Sequence, residues 1–141
     1  MKKIISIIMV CLVTGALFVG CGKYEPKLAE TGVQYVSKTN NNEDGSYPGI
    51  TVKSVTKDGD NIIIKTESPI NQMMYAYKKF INFTVINSKG DTSDKNSFKI
   101  KEVNQQGEFI VTPGDMKIDD IKYIQIGPYK NGDKDIEFEV K

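Results

Sequence analysis

The strongest constraint on this chain is its choice of apolar residues. From Cys21 to Lys141 it carries 14 Ile and 8 Val, against one Leu, two Ala and three Met. β-Branched side chains lose rotamer freedom in a helix and fit the pleated surface of a sheet, and the best helix formers are nearly missing. Such a chain is expected to be all-β.

The spacing of those residues supports the same class. Ile50-Thr51-Val52-Lys53-Ser54-Val55 begins with alternation and runs into Lys57-Asp58-Gly59-Asp60, a turn with an Asp-Gly hairpin signal. Asn61 to Thr66, with Ile62, Ile63 and Ile64, reads as the return strand. Ile81, Phe83 and Val85 fall on one face of a strand that Asn87-Ser88-Lys89-Gly90-Asp91 ends. Phe98 and Ile100 alternate with lysines, as a half-exposed strand does, and Gln105-Gln106-Gly107 turns that strand into Glu108–Thr112. Tyr123 to Ile126 is a further strand, broken by Gly127-Pro128. Ile136, Phe138 and Val140 give the last strand its single apolar face. About seven short strands at this spacing predict an antiparallel β-sandwich over residues 49–141.

Composition excludes several chemistries. There is no histidine, which removes Ser-His-Asp and Cys-His catalysis and the usual zinc sites. All 19 basic residues are lysine, so bidentate guanidinium recognition of phosphate or base edges is absent. They stand against 18 acidic residues, a balance that does not suggest nucleic acid as a partner.

The amino terminus has a separate character. Lys2-Lys3 precede an uncharged stretch from Ile4 to Val19. Sixteen residues of helix reach roughly 24 Å, short of the ~30 Å hydrocarbon core, so the stretch suits a signal peptide better than a permanent span. It ends in Leu17-Phe18-Val19-Gly20-Cys21-Gly22, which resembles the lipobox of bacterial lipoproteins. The resemblance implies diacylglycerol on Cys21 through a thioether, cleavage between Gly20 and Cys21, and a lipid-anchored protein on the extracytoplasmic face of the cell membrane. Cys11 would leave with the signal, so the mature chain could form no internal disulfide. Two acyl chains suffice for stable anchoring where one does not. The expected organisation is a signal over 1–20, a lipidated Cys and polar tether over 21–48, and the sandwich over 49–141. Within the tether, Val33-Gln34-Tyr35-Val36 could form a short first strand. Asp119-Asp120-Ile121-Lys122-Tyr123 resembles the approach to a tyrosine corner, and Pro113 to Val140 resembles the end of small Ig-like domains in membrane-tethered Gram-positive proteins. That resemblance implies an Ig-like sandwich and says nothing of function.

Candidate sites are few. Asn40-x-Asn42-x-Asp44-Gly45 starts like a calcium loop, but Thr51 stands where the bidentate Glu is needed. Asp58-Gly59-Asp60-Asn61 and Asp133-Lys134-Asp135 are explained by turn geometry. No metal or cofactor is expected. Asp119-Asp120 are adjacent carboxylates that fit a turn better than acid-base work, and there is no Gly-x-Ser-x-Gly elbow, so enzymatic activity is not expected. The best contact surface in the sequence is Met73, Met74, Tyr75 and Tyr77, residue types enriched in interface cores. The expected role is a non-enzymatic binding module with an envelope or extracellular protein as partner. A small-ligand or ion-binding lipoprotein and an immunity or inhibitor lipoprotein are the alternatives.

Overall fold

The computed structural model describes residues 23–36, 49–67, 81–103 and 106–141. Among them, nine strands form two antiparallel sheets. The first sheet has the order β1 (Gln34–Tyr35), β2 (Ile50–Asp58), β3 (Asn61–Thr66), β7 (Gln106–Pro113), β6 (Asn96–Val103). The second has the order β5 (Thr92–Ser93), β4 (Asn82–Asn87), β8 (Ile121–Asn131), β9 (Lys134–Glu139). This is an all-β sandwich, consistent with the Ig-like arrangement expected. β1, Gln34–Tyr35, is the short first strand expected within Val33–Val36, and β5, two residues long and too short to show alternation, is the strand not expected.

The two inner faces supply the core. Val52, Ile62, Ile64, Phe109 and Val111 from the first sheet and Val85, Ile124, Ile126 and Ile136 from the second have no exposed surface. An aromatic group ties the sheets together. Phe83 of β4 meets Phe98 of β6 with ring centroids 4.9 Å apart and Phe109 of β7 at 5.5 Å, in the tilted and edge-on geometries that aromatic quadrupoles favour. The Asp-Gly signal forms its hairpin: Asp58 pairs with Asn61, and Gly59 takes φ +56°.

Two expectations change. Gly127-Pro128 does not end the late strand, because β8 continues to Asn131. The pairing of β8 with β9 shifts register between Ile126 and Lys130, and proline's missing N–H is tolerated at such an irregularity. More consequentially, residues 23–36 are not a free tether. Gly32 N–H donates to Val52 O at 2.9 Å, Gln34 and Tyr35 pair with Thr51 and Ile50, and Ala29 is buried with its N–H on Glu137 O at 2.8 Å. The folded unit therefore includes this segment and does not begin at residue 49. The Asn-rich run 37–48 connects β1 to β2, and its residues lie outside the described ones.

Candidate binding surface

The sandwich has a closed side and an open side. On the closed side the last residue bridges the sheets. Lys141 N–H donates to Val55 O at 3.1 Å, Lys57 N–H donates to Lys141 O at 2.8 Å, and Val140 N–H donates to Lys122 O at 2.8 Å. Residues 23–36 form a strap along this side, passing β9 at Ala29 and pairing with β2 at β1.

The strap starts with a well-held tyrosine. The Tyr24 hydroxyl lies 2.9 Å from Glu137 Oε1 and 3.0 Å from Oε2, and donates its proton to that carboxylate. Its ring packs on Tyr123 of β8 at 5.6 Å. A Cβ placed on Gly90 would lie 2.7 Å from Tyr24 Cδ2, so the ring rests directly on the turn after β4. Tyr123 pairs with Ile86 across the outer face of the second sheet, and Ile86 is only 2% exposed although it points away from the main core. Burial pushes the Tyr24 phenol up to about 12, and the hydrogen bond and negative charge of Glu137 act in the same direction. Burial likewise raises the Glu137 carboxyl, with the Tyr24 hydrogen bond opposing that shift.

Register gives the molecule two ends. Tyr24 sits where β4 finishes and β8 begins, since Ile86 pairs with Tyr123 and Tyr123 with Glu139. The Lys57–Lys141 bond puts the end of β2 there too, with the turns at 58–61, 87–91 and 113–120. At the opposite end lie Ile50, Thr66, Asn82, Val103 and Asn131, so the connections 37–48 and 68–80 both leave from that end.

On the open side β6 is the outermost strand of its sheet. Ser97, Lys99 and Lys101 are exposed along it, and Phe98 and Ile100 turn toward the core. The gap between β6 and β4 is bridged by the Asn96 side-chain amide, which donates to Phe83 O at 2.7 Å. Beside that bridge runs a groove of about 460 Å³, with Ile81, Phe83 and Phe98 on its apolar side and Asn96 and the carboxylates Asp94 and Asp135 on its polar side. An outer strand of this kind can accept an extended segment through main-chain hydrogen bonds, and its lysines discourage indiscriminate pairing.

The contact residues expected from sequence, Met73, Met74, Tyr75 and Tyr77, lie outside the described residues, as do Gly20 and Cys21. The 68–80 segment rejoins the described chain at Ile81, on the wall of the groove. Asp119 and Asp120 are exposed in a 3-10 turn, Ile118–Asp120. Among the described residues no group of three or more His, Cys, Asp or Glu could hold a metal. Ser54-Val55-Thr56-Lys57 has a Ser-x-x-Lys spacing, but in β2 residues three apart point to opposite faces, so the two side chains do not converge. The strap was also missed, because Tyr24 and Ala29 are held by residues far away in sequence, Glu137 more than 100 positions on and Gly90 and Tyr123 at 66 and 99. No family model matches the chain, and no curated protein or solved structure matches it either.

Proposed function

We propose that this chain is an extracytoplasmic lipoprotein, anchored through Cys21, whose sandwich serves as a non-enzymatic binding module for an envelope or extracellular protein. The observation that carries the reading is Gly20-Cys21 at the close of the uncharged stretch Ile4–Val19 behind Lys2-Lys3. The outer strand β6, with its groove leading to the 68–80 connection, supports binding of an extended protein segment. The described carboxylates at 58–60 and 119–120 sit in turns, which favours a binding role over acid-base chemistry.

Metabolic labelling with an alkyne fatty acid tests the anchor. Wild type should take up label and fractionate with membranes, and Cys21→Ala should lose the label and either accumulate as precursor or leave the membrane. A variant matured and retained like wild type would defeat the reading. Photocrosslinking in cells tests the binding role, with probes at Lys99 and Tyr77 and a control at Lys53. One protein captured from the first two sites and not from the third is expected. Identical capture at all three sites, or none at any, counts against a binding module.

A further inference from the structure

Resting on the lipoprotein reading, we propose that the sandwich stands directly on the bilayer, with the Tyr24 end against the lipid headgroups and Ile50, Thr66, Asn82 and Asn131 at the far end. Only Gly22 and Lys23 separate Cys21 from Tyr24. Three residue steps reach at most ~11 Å even when fully extended. The headgroup layer on one side of a bilayer takes up roughly 5–8 Å of that reach. Tyr24 is therefore held within a few ångströms of the headgroup surface.

Tyr24 cannot act as the free end of a tether, because three elements hold it: Glu137 of β9, Tyr123 of β8 and the Gly90 turn after β4. A free tether of about 25 residues would place the domain roughly 25–30 Å away on average and leave its orientation open. The short link removes that freedom. From Tyr24 the strap climbs the closed side to Val36, whose carbonyl accepts from Lys130 N–H at 3.3 Å near the opposite end. Strand β2 spans nine residues between the two ends, which at ~3.3 Å per residue sets the far end about 30 Å above the near one. The turns nearest the membrane carry six carboxylates, Asp58, Asp60, Asp91, Asp115, Asp119 and Asp120, against two lysines, Lys89 and Lys117, an excess that anionic headgroups would repel. The stance is thus set by the length of the covalent link and not by attraction to anionic lipid. A partner arriving from outside meets the end formed by Ile50, Thr66, Asn82 and Asn131.

The test uses the full protein purified from membranes and reconstituted into phosphatidylcholine–phosphatidylglycerol vesicles. A fluorophore is placed at Ser88→Cys, in the turn after β4, or at Asp133→Cys, in the β8–β9 turn, and a nitroxide-headgroup lipid is the quencher. Both positions are exposed turn residues, so the fold should survive the change. Quenching several-fold stronger at residue 88 than at residue 133 is expected. Equal quenching, or stronger quenching at 133, overturns the stance. The mass of the Cys21 peptide from the same preparation separates the two readings. Lipid present with equal quenching refutes the stance alone, and lipid absent refutes the anchor and the stance with it.

Discussion

The contact between Tyr24 and Gly90 can be measured with a double-mutant cycle. Gly90 has φ +89°, and its missing Cβ would lie 2.7 Å from Tyr24 Cδ2 and 3.1 Å from Cγ. Gly90→Ala therefore carries two separable penalties. Holding an alanine in the left-handed region costs about 1–2 kcal/mol whatever surrounds it. The new methyl also displaces the Tyr24 ring, which costs about 1–2 kcal/mol through the lost ring contact and the weakened bond to Glu137, since both groups are half-exposed. The single substitution should cost about 2–4 kcal/mol, and the same substitution in a Tyr24→Ala background only about 1–2 kcal/mol. Urea unfolding followed by tyrosine fluorescence supplies the four stabilities, and tryptic cleavage at Lys23 and Lys27 reports strap release independently. A coupling energy below about 0.5 kcal/mol would mean that Tyr24 does not rest on the turn, and the short-link reasoning would fall with it.

Three further outcomes are expected. Phe109→Ala should cost about 3–5 kcal/mol by urea unfolding, because Phe109 is fully buried between Phe83 and Phe98; Phe98→Ala should cost less, and the opposite order would contradict the packing. Thr66→Val should cost about 1–2 kcal/mol in the same assay, because the buried Thr66 hydroxyl donates to Gly107 O at 3.0 Å and valine cannot; no change would show that the bond contributes nothing. The Tyr24 phenol is raised from 10.0 to about 12, so the docked strap favours the protonated form and its contribution is full below pH 10 and lost as pH rises through about 12. The tyrosinate absorbance of wild type minus Tyr24→Phe should rise near pH 12, and a rise centred near pH 10 would count against the Tyr24–Glu137 hydrogen bond.

The sheet was legible because its signals are local. Ile62 and Ile64, Phe83 and Val85, and Ile136 and Phe138 each place side chains on one face through period-two spacing, and Asp58-Gly59 marks its own turn. β5 was not legible, since Thr92-Ser93 pair with Ile86 and Val85 without an apolar face of their own. The passage through Gly127-Pro128 was hidden for a different reason. Whether a proline ends a strand depends on whether its neighbour strand slips register there, and β9 lies downstream in sequence. The outer strand β6 was legible as half-exposed from its alternating lysines, but its place at the sheet edge follows from a strand order that no single segment encodes.

The strap shows most clearly how composition can mislead. Lys23 to Val36 is broken by Pro26, Gly32 and charged residues, so its six apolar residues, Tyr24, Leu28, Ala29, Val33, Tyr35 and Val36, form no continuous period-two face and cannot by themselves offset the entropy of ordering a chain. What holds it is supplied from elsewhere: the carbonyls of Glu137 and Val52, the Glu137 carboxylate, and the rings of Tyr123 and Phe138, the latter 6.4 Å from Tyr35. A segment can thus look like a linker and still belong to the fold. The consequence for an anchored chain is mechanical. Extending 37–48 lengthens a connection between two strands, at about 0.6 kcal/mol for each doubling, and leaves the height of the domain unchanged. Extending the chain between Cys21 and Tyr24 adds directly to the link and lifts the whole sandwich from the surface. With Cys21 as the proposed anchor, the spacing that sets reach is two residues long, and the Asn-rich run that looks like the tether lies on the wrong side of β1 to serve as one.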